Sequence, residues 1–145
     1  MSYGAMHRGV NQYQTVGNYS GTAYANPHRL VQMLMDGFLD RLAQAKGAME
    51  RREIASKGEY ISKAISILDG LRVGLDHERG GEIATNLDDL YAYMQRRLVE
   101  ANASNDPEGL EECASLMREI KSAWDAIPPE LQTRDAAEAA AAREQ

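Results

Sequence analysis

The sequence predicts an all-α protein, an antiparallel up-down four-helix bundle that follows a flexible N-terminal arm. Three observations support this fold. Apolar residues recur at helical spacing in four successive segments between Asn26 and Ile127. Asn-Pro, Gly-Gly, Asp-Pro and Pro-Pro pairs fall near the segment boundaries, and no segment alternates apolar and polar residues as a half-buried strand does. Short connections between helices of similar length favour antiparallel neighbours.

The arm comprises residues 1–25, which are rich in Gly, Asn, Gln, Ser and Thr and show no sustained period. The first helix is predicted to begin at Asn26 and Pro27 and to reach about Arg52. Asn26 can accept hydrogen bonds from the free amides of the first turn. Pro27 loses nothing at the first helical position, because the amide it lacks would have no partner there.

The second helix is predicted to follow a short break near residues 54–57, with Ser56 as its candidate cap, and to end around residues 77–78. Gly80-Gly81 then supplies a turn with few steric limits. The third helix is predicted to continue from this turn to about residue 103.

The fourth helix is predicted to begin at Asp106 and Pro107, by the same capping logic as the first, and Pro128-Pro129 closes it. The bundle therefore spans residues 26–128. The Ala-rich tail, residues 129–145, is expected to be disordered or a frayed helix, because its Ala-rich part has no large apolar residue with which to dock.

Each predicted helix carries an apolar stripe when positions are placed about 100° apart. The stripe residues are Val31, Leu34, Met35, Phe38, Leu42, Ala45 and Met49; Ile61, Ala64, Leu68, Leu71 and Leu75; Ile83, Leu87, Leu90, Tyr91, Met94 and Leu98; and Leu110, Cys113, Met117, Ile120, Trp124 and Ile127.

The composition argues against several classes of protein. A net charge of −6 argues against a general nucleic-acid binder, which needs a basic surface to displace counterions from phosphates. A single cysteine excludes an intramolecular disulfide framework. No run approaches the roughly 18 apolar residues of a membrane span, so we expect a soluble, cytoplasmic protein without membrane insertion.

The helices assemble no reaction centre. The three histidines are spread over the arm, one helix start and one helix end, and no Glu-x-x-His pair exists for a di-metal bundle site. His28, beside Pro27, is expected to be a solvated first-turn residue, and Cys113 a small core residue. We therefore predict no enzymatic activity, no metal and no cofactor.

The apolar residues exceed what a small bundle can hide, which is about three positions per heptad on each helix. The surplus residues are Met33, Tyr60, Ile67, Val73 and Tyr93. They predict grooves in which a partner's helix or extended segment lays apolar anchors. The alternative is that the Tyr-rich arm folds back over them, and a partner can displace such an arm.

The chain resembles the FliS family of flagellar secretion chaperones over nearly everything from Tyr13 to Pro128. Each motif is weak by itself, but their order and spacing make the resemblance specific. The main motifs are Tyr13-Gln14-x-Val16, Asn26-Pro27-His28-x-Leu30-Val31, Gly80-Gly81-Glu82-Ile83-Ala84-x-Asn86-Leu87, Leu90-Tyr91-x-Tyr93-Met94 and Trp124-x-x-Ile127-Pro128.

The resemblance implies a cytoplasmic export chaperone that binds the disordered C-terminal region of flagellin, blocks its premature polymerisation and hands it to the flagellar type III export apparatus. Other flagellar export or regulatory proteins are further expected partners. The alternative function is a regulatory adaptor that binds another flagellar or anti-sigma protein. The expected partner-binding residues are Tyr13 and Val16, by their match to the family's arm motif, together with Leu30, Met33, Leu34, Ile67, Leu71, Tyr91 and Tyr93.

Overall fold

The computed structural model describes residues 26–129, and within this range its regular structure is helical. The helices are α1 (Pro27–Glu50), α2 (Ile54–Val73), α3 (His77–Ser104) and α4 (Pro107–Asp125). The predicted all-α, four-helix fold is therefore confirmed.

The two Pro-initiated helices begin where the sequence predicted. The Asn26 side chain accepts hydrogen bonds from the amides of His28 at 3.0 Å and Arg29 at 3.4 Å. At the start of α4, the Asp106 carboxylate accepts from the Glu108 amide at 3.0 Å. Both caps satisfy amides that have no partner within their own helix.

The break between α1 and α2 lies earlier than predicted. α1 ends at Glu50 and α2 starts at Ile54, so Ser56 lies inside α2 and does not cap it. Arg52 takes the left-handed conformation with φ 59°, and the Glu53 amide donates to the Ala48 carbonyl at 2.9 Å. This hydrogen bond turns the chain within three residues, which is why the break is so short.

The predicted turn at Gly80-Gly81 is wrong as a boundary between helices. α2 ends at Val73, and the Asp76 side chain caps α3 by accepting from the Arg79 amide at 3.1 Å. Asp76 thus nucleates a helical turn before the glycine pair. Gly81 forms a kink inside α3, with φ 52° and ψ −125°.

The helices form a ring in which α1 and α3 each pack against both α2 and α4. Contacts place the start of α2 beside the end of α3, through Lys57 and Asn102, and the start of α1 beside the end of α4, through Gln32 and Asp125. The neighbours are therefore antiparallel, as an up-down topology requires.

The core occupies the centre of the ring and contains most of the predicted stripes. Its largest fully buried side chains are Phe38, Met35, Ile61, Leu68, Met94, Leu98, Leu110, Met117 and Cys113. The prediction for Ile83 is wrong. Ile83 was assigned to the apolar stripe of the third helix, but it is 72% exposed. It lies two residues after the kink, in a turn that no neighbouring helix covers.

Candidate partner-binding surface

Four of the expected partner-binding residues lie in the core. Leu34, Ile67, Leu71 and Tyr91 are all buried and belong to the central apolar cluster. Burial raises the pKa of Tyr91 to about 12. Because these side chains are buried, they cannot contact a partner directly and can only support a binding surface from the core.

Three others are half-buried and reach the surface. Leu30 and Met33 lie in the first two turns of α1, and Tyr93 lies on α3. The Tyr93 hydroxyl donates a hydrogen bond to the Glu112 carboxylate on α4, and this bond raises the pKa of Tyr93. Tyr13 and Val16 lie outside the described residues.

The surplus of apolar residues is partly visible as exposed side chains. Val73 was predicted to lie outside the apolar stripe of the second helix, and it is 55% exposed at the end of α2. Ile83, at the start of α3, lies toward the same end of the bundle. Ile54 at 73% and Val99 at 59% are exposed as well, and helical periodicity did not single them out.

A cleft of about 390 Å³ lies between the second half of α1 and the first half of α4. Its apolar lining consists of Leu39, Leu42, Ala43, Gly47, Leu110 and Ala114. Side chains of both charges, Lys46, Glu50, Glu111 and Arg118, also line it. Apolar and charged side chains thus share the lining of this cleft, and a cleft of this mixed character can accept an amphipathic helix or an extended segment.

This α1–α4 cleft was not predicted from the sequence. Its only sequence signal is a pair of small residues one helical turn apart, Ala43 and Gly47, beside the stripe of α1. Small residues leave space between helices, but that space appears only when the distance to α4 is known.

An ionic network ties α3 to α4 beside Tyr93. Arg97 donates to Glu112 at 2.9 Å and to Asp106 at 3.0 Å. The hydrogen bond from Arg97 lowers the pKa of Asp106, while hydrogen bonds from Tyr93 and then Arg97 lower the pKa of Glu112. These contacts fix the position of Tyr93 relative to α4.

His28 is buried, contrary to the expectation of a solvated residue. Its side chain is 4% exposed because its ring stacks on the indole of Trp124 near the end of α4. The Trp124 indole N–H donates to the His28 carbonyl oxygen at 3.0 Å. The prediction failed because the periodicity of α1 alone gives no information about the side chain that covers its first turn.

The described residues provide few groups for chemistry. The Cys113 thiol is buried and lies 3.7 Å from the Met94 carbonyl oxygen, and burial raises its pKa to about 12. Within residues 26–129, no cluster of His, Cys, Asp and Glu side chains is arranged to hold a metal ion. No helix in that range is both long enough and apolar enough to cross a membrane.

The fold and surface define a helical bundle whose apolar side chains and cleft suit contact with another polypeptide. The family model described as "Flagellar protein FliS" matches residues 9–131. The chain belongs to the FliS family of flagellar secretion chaperones.

Individual relatives agree with this assignment. The flagellar secretion chaperone FliSB of Pseudomonas aeruginosa is 58% identical over 120 residues, which cover 83% of this chain and 95% of the relative. The flagellar secretion chaperone FliS of Vibrio cholerae is 46% identical over 133 residues, covering 92% and 98%. The Salmonella typhimurium chaperone FliS is 47% identical over 122 residues, covering 83% and 90%.

Proposed function

We propose that the chain is a cytoplasmic chaperone for the disordered C-terminal region of flagellin, here called the client. It prevents premature polymerisation of the client and delivers it to the flagellar type III export apparatus. The protein acts by binding alone, without catalysis or a cofactor. One observation supports this proposal above all: the chain belongs to the FliS family, and its bundle leaves apolar side chains exposed at the surface.

The physical argument begins with the client. A segment that becomes ordered on binding gives up about 2–5 kcal/mol of the gross interaction energy, and its binding buries on the order of 1,000–3,000 Å². A surface of this size extends over several helices. The half-buried side chains on α1 and α3 and the α1–α4 cleft together provide apolar area on three helices.

The proposed contact residues fall into two groups. Leu30, Met33 and Tyr93 contact the client directly, because part of each side chain is exposed. The buried residues Leu34, Ile67, Leu71 and Tyr91 support that surface from the core. The arm residues Tyr13 and Val16 cover or complete the surface, and the client replaces or joins them.

Calorimetric titration with a synthetic peptide from the C-terminus of flagellin tests the proposal. We expect saturable one-to-one binding, a negative heat-capacity change from buried apolar surface, and a gain in peptide helicity by circular dichroism. A peptide of the same composition in scrambled order is the control. Lack of binding at about 50 μM peptide, which corresponds to about −6 kcal/mol, would remove the proposed function.

A matched pair of variants tests the contact surface. Met33→Asp places a charge on a proposed contact and should weaken peptide binding at least about tenfold, or 1.4 kcal/mol. Val99→Asp introduces the same charge at an exposed apolar residue outside the proposed surface, and we expect a change of less than about twofold, or 0.4 kcal/mol. Equal losses in the two variants would contradict the placement of the surface while leaving the function intact.

A further inference from the structure

The corner where α1 begins and α4 ends is joined by two contacts between the same two residues. The rings of His28 and Trp124 stack with centroids 4.8 Å apart and planes 7° from parallel. The Trp124 indole N–H also donates to the His28 carbonyl oxygen at 3.0 Å. Ring and backbone contacts therefore join the same two residues, one from each helix, at this α1–α4 corner.

The stacked imidazole carries an unsatisfied nitrogen. His28 Nε2 is buried and has no hydrogen-bond partner. Protonation would place a donor and a share of positive charge on an atom that neither water nor protein can solvate. The closed corner therefore favours the neutral imidazole.

The charges that face His28 do not compensate for this burial. Asp125 on α4 is the opposing carboxylate, and its charge raises the pKa of His28, but desolvation has the larger effect and lowers it. The oxygens of Asp125 already accept hydrogen bonds from Lys121 and Gln32, each at 2.7 Å. Lys121 also pairs with Asp36 on α1 at 3.4 Å, so the surrounding carboxylates are largely neutralised.

We propose that the α1–α4 corner is a pH-sensitive latch, which is closed while His28 is neutral and opens when His28 is protonated. Opening separates the first turn of α1 from the last turn of α4 and gives the imidazolium access to water. Residues 1–25 join the bundle through Asn26, two residues before His28. The latch therefore controls how firmly the attachment point of that segment is held, whatever the partner of the bundle.

The direction of the pH effect follows from proton binding. The closed corner holds His28 with its pKa below the ordinary 6.5, whereas an open corner restores a value near 6.5. The open form therefore binds more protons, and lowering the pH through 6.5 favours it. Above that value the latch retains its full stability.

Tryptophan fluorescence tests the proposal on the intact chain, because Trp124 is its sole tryptophan. As the pH falls from 7.5 to 5, we expect the emission maximum to move to longer wavelength with a midpoint below 6.5. His28→Gln replaces the imidazole with a neutral side chain and should abolish the transition. A transition that persists in His28→Gln would overturn the proposal.

Hydrogen exchange distinguishes a local latch from acid unfolding. After correction for intrinsic rates, amides of residues 29–34 and 120–126 should exchange several-fold faster at pH 5.5 than at pH 7.5. Amides of residues 61–71 in the core of α2 should not change. An equal acceleration in both regions would show that the whole bundle unfolds, and it would overturn the latch.

The Asp125→Asn variant tests the electrostatics of the corner, because the direction in which it should shift the fluorescence midpoint is predicted. The carboxylate raises the pKa of His28 in the closed corner, so its removal makes the protonated closed form less stable and should move the fluorescence midpoint to higher pH. A midpoint that stays in place or moves to lower pH would contradict the assigned electrostatics. Far-ultraviolet circular dichroism at pH 7.5 verifies that each variant is folded.

Discussion

Lys57 is a buried lysine that joins α2 to the end of α3. Its side chain is 5% exposed, and its ammonium donates to the Asn102 carbonyl oxygen at 2.9 Å and to the Asn105 side-chain oxygen. Lys57 falls in the break that the sequence predicted between the first two helices, and nothing local indicates its burial, because lysines are ordinarily solvated. Its acceptors come from the last turn of another helix, which local sequence cannot place beside it.

Replacement of this lysine should destabilise the fold. Lys57→Met removes the buried donor of two charge-assisted hydrogen bonds that join α2 to the end of α3, and it should lower the free energy of unfolding by about 1–3 kcal/mol. Urea denaturation measures the change. Lys63→Met on the same helix is the control, because Lys63 is half-exposed and forms a surface ion pair with Glu59, and it should change stability by less than about 0.5 kcal/mol. Equal effects would contradict the structural role of Lys57.

At the level of helices, the sequence predicted the helix starts better than the connections. The starts of α1 and α4 depend on Asn-Pro and Asp-Pro pairs, whose chemistry acts within a single turn. The α2–α3 connection was misplaced because Gly80-Gly81 gives the stronger breaker signal, whereas the chain turns at residues 74–76 and Asp76 caps the next helix. The prediction failed because a glycine can serve either as a turn or as a kink.

The kink in α3 requires glycine. Gly81 has φ 52° and ψ −125°, a conformation that an L residue with a side chain adopts only at a cost of about 1–3 kcal/mol. Gly81→Ala should therefore lower the free energy of unfolding by that amount. Thermal and urea denaturation followed by circular dichroism measure the change.

Gly58 in α2 is the matched control for this substitution. No atom lies within 4 Å of a Cβ built at this position, and its backbone is helical. Gly58→Ala should increase stability by about 0.5–1 kcal/mol, because alanine has the higher helix propensity. Stabilisation by both substitutions would show that α3 is straight in solution.

At the scale of the whole molecule, the sequence predicted the four-helix architecture but could not separate surface from core at the edges of each stripe. Ile67 was counted as surplus, yet it is 2% exposed, whereas Val73 six residues later is 55% exposed. Neighbouring helices bury one edge of a stripe and leave another open. Which edge is covered depends on how each helix is rotated about its axis, a property of the assembled ring.

Client binding should stabilise the assembled bundle. A ligand that binds only the folded chain adds about 2.7 kcal/mol at one hundred times its dissociation constant. For a bundle of this size, that gain raises the midpoint of thermal unfolding by about 10 °C. Scanning calorimetry with the flagellin peptide measures the shift, and the scrambled peptide should leave the midpoint in place. A shift of equal size with both peptides would indicate nonspecific stabilisation.

The sequestered Cys113 gives this molecule a practical advantage. It is the sole cysteine of the chain, and its buried thiol is protonated at neutral pH, so maleimide reagents have no accessible target in the native bundle. A cysteine engineered at an exposed position would then react selectively without removal of the native one. Spin labels or fluorescent dyes could therefore be attached at chosen surface positions to follow the movements of the bundle in solution.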